Sequence, residues 1–345
     1  MGKPKVLLLG NIDHAQLTWD ALSEVAELTT SSAKDRAAFL AEAKAGKLDG
    51  VVAAYRTFPS VAQTGLWDAE LVDALPKSFK FIAHNGAGYD QLRPDALLAR
   101  PADKGGPIIA TNVPTAVDDA TADTGIFLML GALRNFNTSI MALRRNAWRG
   151  ETPPALGHDP QGKLIGILGM GGIGRNFANK ARAFGMRVAY HNRRELDAAA
   201  AAGATYLSFD ELLAQSDVIL VSVPLSPATH HLISTAEFAK MKTGVVVVNT
   251  ARGAVIDEAA LVKALDDGKV GSAGLDVFEE EPKVHPGLVA NDKVLLLPHM
   301  GTWTKETQTK MEEWCIGNVR SAVEGKYEQM SVIGEHKEAL AELSK

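Results

Sequence analysis

A glycine-rich turn between an apolar strand and a helix constrains the fold of this chain most strongly. Residues 164–168 read LIGIL, the sequence GMGGIG follows them, and a helical pattern runs from residue 175 to residue 184. Glycine at the first, third and sixth positions permits a tight turn, a close backbone approach to a pyrophosphate, and close packing of the helix on the strand. The helix N-terminus also favours an anion. The sequence therefore predicts a dinucleotide site at Gly169, Met170, Gly171, Gly172, Ile173 and Gly174.

In the rest of the chain, short apolar runs also alternate with alanine-rich helical stretches. This alternation is typical of a parallel sheet with crossover helices. The predicted strands are residues 6–9, 50–54, 79–83, 108–110, 164–168, 187–190, 218–223, 245–248, 272–275 and 294–297. The other predicted helices are residues 33–45, 68–75, 114–135, 138–148 and 305–323. Residues 151–163 read as a loop and residues from 325 onward as a polar tail. The pattern predicts an α/β protein.

Composition excludes several classes of protein. A chain of 345 residues suggests about two domains, and 46% hydrophobic with 22% charged residues is ordinary for a soluble globular protein. The net charge of -5 offers no broad basic face for nucleic acid. The single cysteine, Cys315, excludes an intramolecular disulfide framework and a cysteine-rich metal site. Without a signal-like segment or an apolar run of roughly 20 residues, we expect a cytoplasmic protein with no membrane partner.

Three polar runs follow predicted strands late in the chain. They are NTARG at residues 249–253, DVFEEEP at residues 276–282 and PHMG at residues 298–301. In open α/β sheets ligands bind outside the carboxyl ends of the strands, so Arg252, Glu281 and His299 are expected to converge on one cleft. An arginine, a carboxylate and a histidine together can hold an anionic substrate and move a proton.

The residues at the end of the second strand of the predicted nucleotide-binding unit indicate which dinucleotide is preferred. An acidic residue is expected there when the cofactor carries a free ribose 2′-hydroxyl. This chain instead has Asn192, followed by Arg193 and Arg194. Such a site no longer repels a 2′-phosphate and can bind it through charge-assisted hydrogen bonds. We therefore expect NADPH/NADP+ to be preferred, with NADH possible; the alternative is that the two arginines only solvate the start of a helix.

Together these motifs resemble the D-isomer-specific 2-hydroxyacid dehydrogenase family over nearly the whole chain. The glycine fingerprint, the arginine motif, the acid before a proline and the proline–histidine pair occur in the order of that family. Residues 85–90 (NGAGYD) are similar to its substrate loop, and residues 119–123 (DATAD) to the start of its linking helix. The two arginines after Asn192 are similar to those of its NADPH-linked glyoxylate and hydroxypyruvate reductases.

The resemblance implies a two-domain α/β architecture and a homodimer built largely through the coenzyme domain. Residues 1–112 and 305–345 would form a flavodoxin-like substrate domain, and residues 113–304 a Rossmann-like, doubly wound coenzyme domain. No metal is expected. Further cofactor contacts are expected from Val223, Pro224, Thr250, Ala251, Arg252, Asp276, His299 and Gly301. Substrate contacts are expected from Ala87, Gly88, Arg252 and His299.

The implied activity is reduction of glyoxylate or hydroxypyruvate to a D-2-hydroxy acid. The backbone N–H groups of Ala87 and Gly88 would hold the carboxylate of the 2-oxo acid, and Arg252 would stabilise charge on its keto oxygen. The hydride would come from the dinucleotide and the proton from His299. A hydrogen bond from His299 to Glu281 would favour the imidazolium and fix the ring.

Alternative functions stay open at this stage. A D-mandelate-type dehydrogenase would use the same three residues on aromatic 2-oxo acids. A formate dehydrogenase is disfavoured, because that branch of the family carries glutamine where Glu281 stands. A non-catalytic, corepressor-like protein would bind the dinucleotide only as a ligand, since fold alone does not fix function.

Two further groups of residues compete for a role. Glu279 and Glu280 are rival carboxylates to Glu281, which is preferred because it directly precedes a proline. His230 and His231 suggest a metal site, but no cysteine, histidine or carboxylate lies near them at metal-ligand spacing. A role in a loop or near the cofactor is therefore expected for the two histidines.

Overall fold

The computed structural model describes residues 2–149 and 155–343, and their contacts divide the chain into two compact units. Unit 1 comprises Met1–Val117 and Thr304–Lys345, and unit 2 comprises Asp118–Trp303. Part of the loop expected at residues 151–163 lies outside the described residues. Residues 155–163 contain neither helix nor strand.

The strands agree closely with the sequence pattern. They are β1 (Lys5–Leu9), β2 (Glu27–Thr30), β3 (Val51–Thr57), β4 (Phe81–Asn85), β5 (Ile109–Thr111), β6 (Leu164–Leu168), β7 (Arg187–His191), β8 (Thr205–Tyr206), β9 (Val218–Val221), β10 (Val245–Asn249), β11 (Val270–Leu275) and β12 (Val294–Leu296). Every predicted strand is present, with each end close to its expected position. Two strands, β2 and β8, were not predicted.

Helices cover most of the segments between the strands. They are α1 (Gln16–Ala21), α2 (Arg36–Lys44), α3 (Val61–Thr64), α4 (Ala69–Ala74), α5 (Pro94–Leu98), α6 (Asp118–Leu133), α7 (Phe136–Arg144), α8 (Gly172–Ala183), α9 (Ala198–Ala201), α10 (Phe209–Gln215), α11 (Thr235–Lys240), α12 (Glu258–Asp266), α13 (Pro286–Val289), α14 (Lys305–Glu324) and α15 (Lys337–Leu343). Short 3-10 helices lie at Leu22–Glu24, Phe58–Ser60, Ala102–Lys104, Gly253–Val255, Tyr327–Gln329 and Gly334–His336.

Unit 1 is built on one parallel sheet in the order β2-β1-β3-β4-β5. Its central strands are buried on both faces, which is why they read as continuous apolar runs in the sequence. Leu7, Ile82, Trp67 and Phe79 are fully buried members of one core cluster. Helix α14 packs against β3 and β4, so the expected return of this helix to the first part of the chain is confirmed.

The polar tail expected from residue 325 onward is wrong. Ile333 and His336 are buried, and residue 332 pairs with Thr111 in an antiparallel bridge. The backbone N–H of Ala110 donates to Nδ1 of His336 over 3.0 Å. Burial lowers the pKa of His336. The packing of this segment could not be predicted from the sequence, because a few buried residues among polar neighbours produce no periodic pattern.

Unit 2 is built on one parallel sheet in the order β12-β11-β10-β9-β6-β7-β8. Strand order reverses between β6 and β9, so this is a doubly wound sheet, and ligands bind such sheets at the carboxyl edge beside the reversal. The glycine turn follows β6, and the three polar runs follow β10, β11 and β12. The α/β class and the Rossmann-type architecture are confirmed.

The long helix α6 begins later than predicted. Thr115 adopts a left-handed backbone conformation with φ of 47°, which interrupts the helix expected from residue 114. Within unit 2, α6 crosses α8 closely. A side chain at Gly125 would lie 2.9 Å from the ring of Phe177, so glycine at this position sets the distance between the two helices.

No single helix among the described residues is long and apolar enough to cross a membrane. Helices α6 and α7 together have the length and apolar composition of a span, but a bend of 79° separates them. Leu128, Met129 and Leu133 of α6 are buried in the core of unit 2, which accounts for the apolar character of that helix.

Candidate active site

The loop after β10 carries Arg252 and is fixed by the side chain of Asn249. The Asn249 carboxamide oxygen accepts from the backbone N–H of Ala251 over 3.0 Å, and its nitrogen donates to the carbonyl of Arg252 over 2.9 Å. The Arg252 guanidinium donates to the carbonyl of Ala251 over 2.8 Å. Because Asn249 is buried, the loop conformation is determined by the end of the strand itself.

Gly253 brings this loop against the loop that follows β11. A Cβ at Gly253 would overlap the carbonyl group of Phe278 and the backbone nitrogen of Glu279. Only a residue without a side chain permits this approach. The close contact places Arg252 next to the segment that carries Glu281.

Asp276, at the end of β11, holds the segment that carries His299. The buried Asp276 carboxylate accepts from the backbone N–H of Met300 over 2.6 Å and from that of Gly301 over 2.8 Å. Its carbonyl accepts from the N–H of His299 over 2.8 Å. Burial raises the pKa of Asp276, although these hydrogen bonds and the nearby His299 act in the opposite direction. His299 itself has φ of 57°, a conformation that this network imposes on a residue other than glycine.

Glu281 and His299 form a direct hydrogen bond. Nδ1 of His299 lies 2.9 Å from Oε2 of Glu281, and the second carboxylate oxygen accepts from the N–H of Phe278 over 3.0 Å. Burial alone would raise the pKa of Glu281. The hydrogen bond and charge of His299, the N–H of Phe278 and the charge of Arg252 outweigh burial and lower the pKa. The carboxylate is therefore kept ionised beside the histidine.

The three neighbouring glutamates have different partners. Glu281 meets His299, whereas Glu279 accepts a hydrogen bond from Nε2 of His231 over 2.5 Å. Glu280 is 70% exposed and pairs with Lys283. The preference for Glu281 over its two rivals thus agrees with the hydrogen bonds of the site.

The glycine turn after β6 has the features that a pyrophosphate site requires. A Cβ at Gly169 would collide with the backbone of Ser222 and Val223 after β9, and one at Gly174 with the carbonyl of Gly169, whereas a Cβ at Gly171 would meet no atom within 4 Å. Glycine at residue 171 is therefore not needed for packing within the protein. Its usual role in such a turn is to let the backbone approach a phosphate. The N-terminus of the twelve-residue helix α8 lies at this turn and adds a favourable dipole.

Asn192 joins the end of β7 to the glycine turn. Its carboxamide oxygen accepts from the N–H of Met170 over 2.7 Å, and its carbonyl accepts from the hydroxyl of Tyr206 over 3.1 Å. Arg193 and Arg194 follow on the surface. Neither guanidinium forms a hydrogen bond or ion pair within residues 2–149 and 155–343. Two exposed cations therefore follow a neutral amide at the position where a carboxylate would repel a 2′-phosphate.

The other expected cofactor residues also follow strands of the unit 2 sheet. Val223, which is partly exposed, and Pro224, which is exposed, lie just after β9, and Thr250 and Ala251 lie just after β10. Gly301 follows the His299 segment and is buried. Their positions agree with a ligand along the carboxyl edge, while individual contacts stay predictions.

In unit 1 the segment after β4 turns two backbone N–H groups in one direction. The carbonyl of Gly86 accepts from the N–H of Val113 over 2.9 Å, and that of Ala87 accepts from the side chain of Asn112 over 2.8 Å. In a trans peptide the N–H points opposite to the carbonyl of the same unit. The N–H groups of Ala87 and Gly88 therefore point away from these partners. This arrangement suits an anion.

One cluster in unit 2 contradicts the sequence interpretation. The fold brings Glu279, which is 48 residues away in the chain, to His231, and the rings of His230 and His231 stack with centroids 4.0 Å apart. No carboxylate lies at metal-ligand spacing in the sequence, but the fold supplies one from a distant segment. Sequence spacing missed the contact because Glu279 comes from a different strand end.

The same cluster reaches the start of α12. The carboxylate of buried Glu258 accepts from the backbone N–H of Glu279 over 2.8 Å. Burial raises the pKa of Glu258. His231, Glu258 and Glu279 follow three different strands. No recognisable sequence motif links these three positions, so nothing in the sequence signals the network.

Residues 126–301 match the model of the family described as D-isomer specific 2-hydroxyacid dehydrogenase, NAD binding domain. The 4-methyl-2-oxopentanoate reductase A of Aspergillus oryzae is 52% identical, over 97% of this chain and 99% of that protein. Glyoxylate reductase 1 of Saccharomyces cerevisiae is 44% identical, over 93% of this chain and 92% of that protein.

Several solved structures are also similar to this chain over nearly its whole length. A glyoxylate reductase from Paecilomyes thermophila is similar with a TM-score of 0.92 and 51% identity, covering 98% of this chain and 100% of the other. The holo D-mandelate dehydrogenase of Rhodotorula graminis has a TM-score of 0.85 and 32% identity, covering 93% and 94%. The NADPH-dependent glyoxylate/hydroxypyruvate reductase of Sinorhizobium meliloti, solved with NADP and malonate, has a TM-score of 0.81 and 29% identity, covering 97% and 98%.

The close approach at Gly253 makes a testable prediction. We expect Gly253→Ala to lower the free energy of unfolding by about 1–3 kcal/mol, because the added methyl group forces the two backbones apart. Urea denaturation followed by circular dichroism measures the change. Gly171→Ala is the matched control and should cost less than about 1 kcal/mol, because the new Cβ enters open space. Equal costs for the two variants would contradict the structural role of Gly253.

The lowered pKa of Glu281 predicts a pH-dependent contribution to stability. A carboxylate whose pKa is lower in the folded state stabilises the protein at pH values above the pKa of the unfolded state, here 4.5. This contribution is lost as the pH falls. The stability difference between the wild type and Glu281→Gln should therefore be largest near neutral pH and shrink as the pH falls below that value. Urea titrations at several pH values measure it. Glu280→Gln, an exposed control, should change stability by no more than about 0.5 kcal/mol at any pH.

Proposed function

The chain belongs to the D-isomer-specific 2-hydroxyacid dehydrogenase family, and on that premise we propose that it is an NADPH-preferring reductase of glyoxylate and hydroxypyruvate. Reduction of 2-oxo acids with a nicotinamide dinucleotide is the general activity of its relatives. The observation that carries the proposal is the 2.9 Å hydrogen bond between His299 and Glu281, beside Arg252. A protein that only sensed the dinucleotide would not require this acid–base pair.

His299 is the proton donor to the keto oxygen. Because Nδ1 is engaged by Glu281, we assign proton transfer to Nε2 on the other side of the ring. The ionised Glu281 stabilises the imidazolium before transfer and holds the orientation of the ring after it. Arg252 stabilises negative charge that develops on the keto oxygen. When bound, the dinucleotide supplies the hydride.

The carboxylate of the substrate is assigned to the N–H groups of Ala87 and Gly88. Their peptide carbonyls are held by Val113 and Asn112, so the donors are fixed before the substrate arrives. Fixed donors bind an anion without the entropy cost of ordering a loop.

The dinucleotide is assigned to the carboxyl edge of the unit 2 sheet. The turn from Gly169 to Gly174 and the N-terminus of α8 would hold the pyrophosphate. Arg193 and Arg194 would hold the 2′-phosphate of NADPH, while Asn192 stays bonded to Met170. The similar protein from Sinorhizobium meliloti is described as NADPH-dependent, which supports this choice.

Substrate size is the main alternative within the family. Relatives and neighbours include proteins named for glyoxylate, for 4-methyl-2-oxopentanoate and for D-mandelate. The three proposed catalytic residues would serve reduction of the two 2-oxo acids and, in the reverse direction, oxidation of the 2-hydroxy acid D-mandelate. We propose glyoxylate and hydroxypyruvate as the substrates because a glyoxylate reductase combines 51% identity with a TM-score of 0.92.

The homodimer and the cytoplasmic location stay predictions. We place the dimer contact on α7 and its flanks, where Phe136, Ile140, Leu143 and Trp148 expose apolar surface. Such a patch on one face of unit 2 agrees with an interface between two coenzyme domains.

A substrate panel tests the proposed activity. With NADPH as reductant, we expect kcat/KM to be highest for glyoxylate and hydroxypyruvate, and lower for 4-methyl-2-oxopentanoate and phenylglyoxylate. The loss of NADPH absorbance measures each rate. A preference for phenylglyoxylate would favour a D-mandelate-type enzyme. Inactivity on the whole panel, with the dinucleotide still bound, would favour a dinucleotide-sensing protein.

The cofactor preference depends on the two exposed arginines. In Arg193→Ser/Arg194→Ser we expect KM for NADPH to rise at least about tenfold, because each charge-assisted hydrogen bond contributes roughly 1.5–3 kcal/mol. KM for NADH should change little. Arg187→Ser, at the opposite end of β7, is the matched control. An enzyme that prefers NADH before mutation would contradict the assignment.

The catalytic roles predict distinct kinetic effects. His299→Ala should lower kcat by about 10²–10⁴-fold, the usual contribution of a general acid. Arg252→Ala should damage both kcat and KM, because Arg252 would contact the substrate in the ground state and in the transition state. His158→Ala, at an exposed histidine, is the control. Near-normal turnover in a folded His299→Ala or Arg252→Ala variant would refute the role assigned to that residue.

A further inference from the structure

A cluster of two histidines and a glutamate in unit 2 lies outside the proposed catalytic chemistry. We propose that His230, His231 and Glu279 form a binding site for a transition-metal ion of the Zn²⁺ type. The proposal does not depend on the activity of the enzyme, because none of the three residues is assigned to proton transfer, substrate or dinucleotide.

The three side chains already offer their ligand atoms to one point. One ligand atom from each lies within 4.8 Å of the other two, and Nε2 of His231 is 2.5 Å from a carboxylate oxygen of Glu279. Ligand atoms around a tetrahedral zinc ion are about 3.4 Å apart, given bonds of roughly 2.0–2.2 Å. Small side-chain rotations therefore convert the hydrogen-bonded cluster into a coordination site.

The backbone at His231 explains how two consecutive histidines come to face one carboxylate. Successive side chains in an extended chain point to opposite sides. His231 instead has φ of 50°, in the left-handed region, and the two rings stack with an interplanar angle of 28°. The N–H of His231 is fixed by the carbonyl of Ala254 over 2.8 Å. Strained conformations of residues other than glycine concentrate at functional sites.

The donor set selects the kind of ion. Two imidazoles and one carboxylate suit zinc and neighbouring transition metals, whereas Mg²⁺ and Ca²⁺ prefer oxygen ligands alone. Three protein ligands would leave a coordination position for water. His230 is exposed, and the side chains of His231 and Glu279 are 35% and 27% exposed, so an ion can reach them from solvent.

Groups around the cluster support the carboxylate ligand. The backbone N–H of Glu279 donates to Glu258, and the N–H of Glu258 lies 3.4 Å from the second carboxylate oxygen of Glu279. Hydrogen bonds of this kind orient the ligands of a metal ion and raise its affinity. An ion would therefore join the segment after β9 to the segment after β11, and the start of α12 would support it through the hydrogen bonds between Glu258 and Glu279.

Zn²⁺ binding to the purified full chain tests the proposal. After treatment with a chelator, we expect one Zn²⁺ per chain to bind in competition with a chromophoric chelator, with no binding of Mg²⁺ under the same conditions. His230→Gln, His231→Gln and Glu279→Gln should each weaken binding by at least the roughly 10–100-fold typical of losing even an outer-shell partner. Affinity should fall at acidic pH, because protons compete for the ligands.

Control variants separate this site from the His299–Glu281 pair. His158→Gln and His299→Gln should leave the affinity for Zn²⁺ unchanged, whatever they do to turnover. His230→Gln guards against misfolding, since His230 is exposed and circular dichroism should show an intact fold. The proposal is overturned if the wild type binds no Zn²⁺. It is equally overturned if binding survives all three ligand variants, or if His299→Gln alone abolishes it.

Discussion

The backbone contact at Gly253 is the constraint on which the proposed catalytic geometry depends. It presses the loop after β10 against the loop after β11, because residue 253 has no side chain to hold the two apart. Arg252 directly precedes Gly253. Glu281 comes shortly after Phe278 and Glu279, whose backbone forms the other side of the contact. The third loop is tied to the same place by Asp276, whose carboxylate accepts two backbone N–H groups next to His299.

The parallel sheet of unit 2 explains why side chains far apart in sequence can cooperate. Each crossover returns the chain to the same edge, so residues that follow β10, β11 and β12 become neighbours. The same edge carries the glycine turn after β6 and Asn192 after β7. The proposed proton donor, the proposed charge-stabilising arginine and the proposed dinucleotide turn are thus arranged by one topology, without contributions from a helix interior.

Two histidine–carboxylate pairs arise from one acidic run, and the fold gives them different surroundings. Glu281 is held by His299, Phe278 and the charge of Arg252, and its pKa is lowered. Glu279 is held by His231 and sits beside buried Glu258. The first pair is suited to proton transfer at the edge of the sheet. The second joins three loops and provides the nitrogen and oxygen ligands of the proposed metal site.

The sequence by itself determined the strands, because buried parallel strands read as uninterrupted apolar runs and glycines mark the turn at β6. It also identified Arg252, Glu281 and His299 as candidates from their places after strands. It missed the polar edge strand β2 and the docking of Ile333 and His336, which lack any periodic signal. Only the tertiary structure decided which partners meet: Glu279 reaches His231, Glu281 reaches His299, and Asn192 bonds to Met170. Such contacts, between residues 48, 18 and 22 positions apart, follow from strand order and loop packing, which local patterns do not encode.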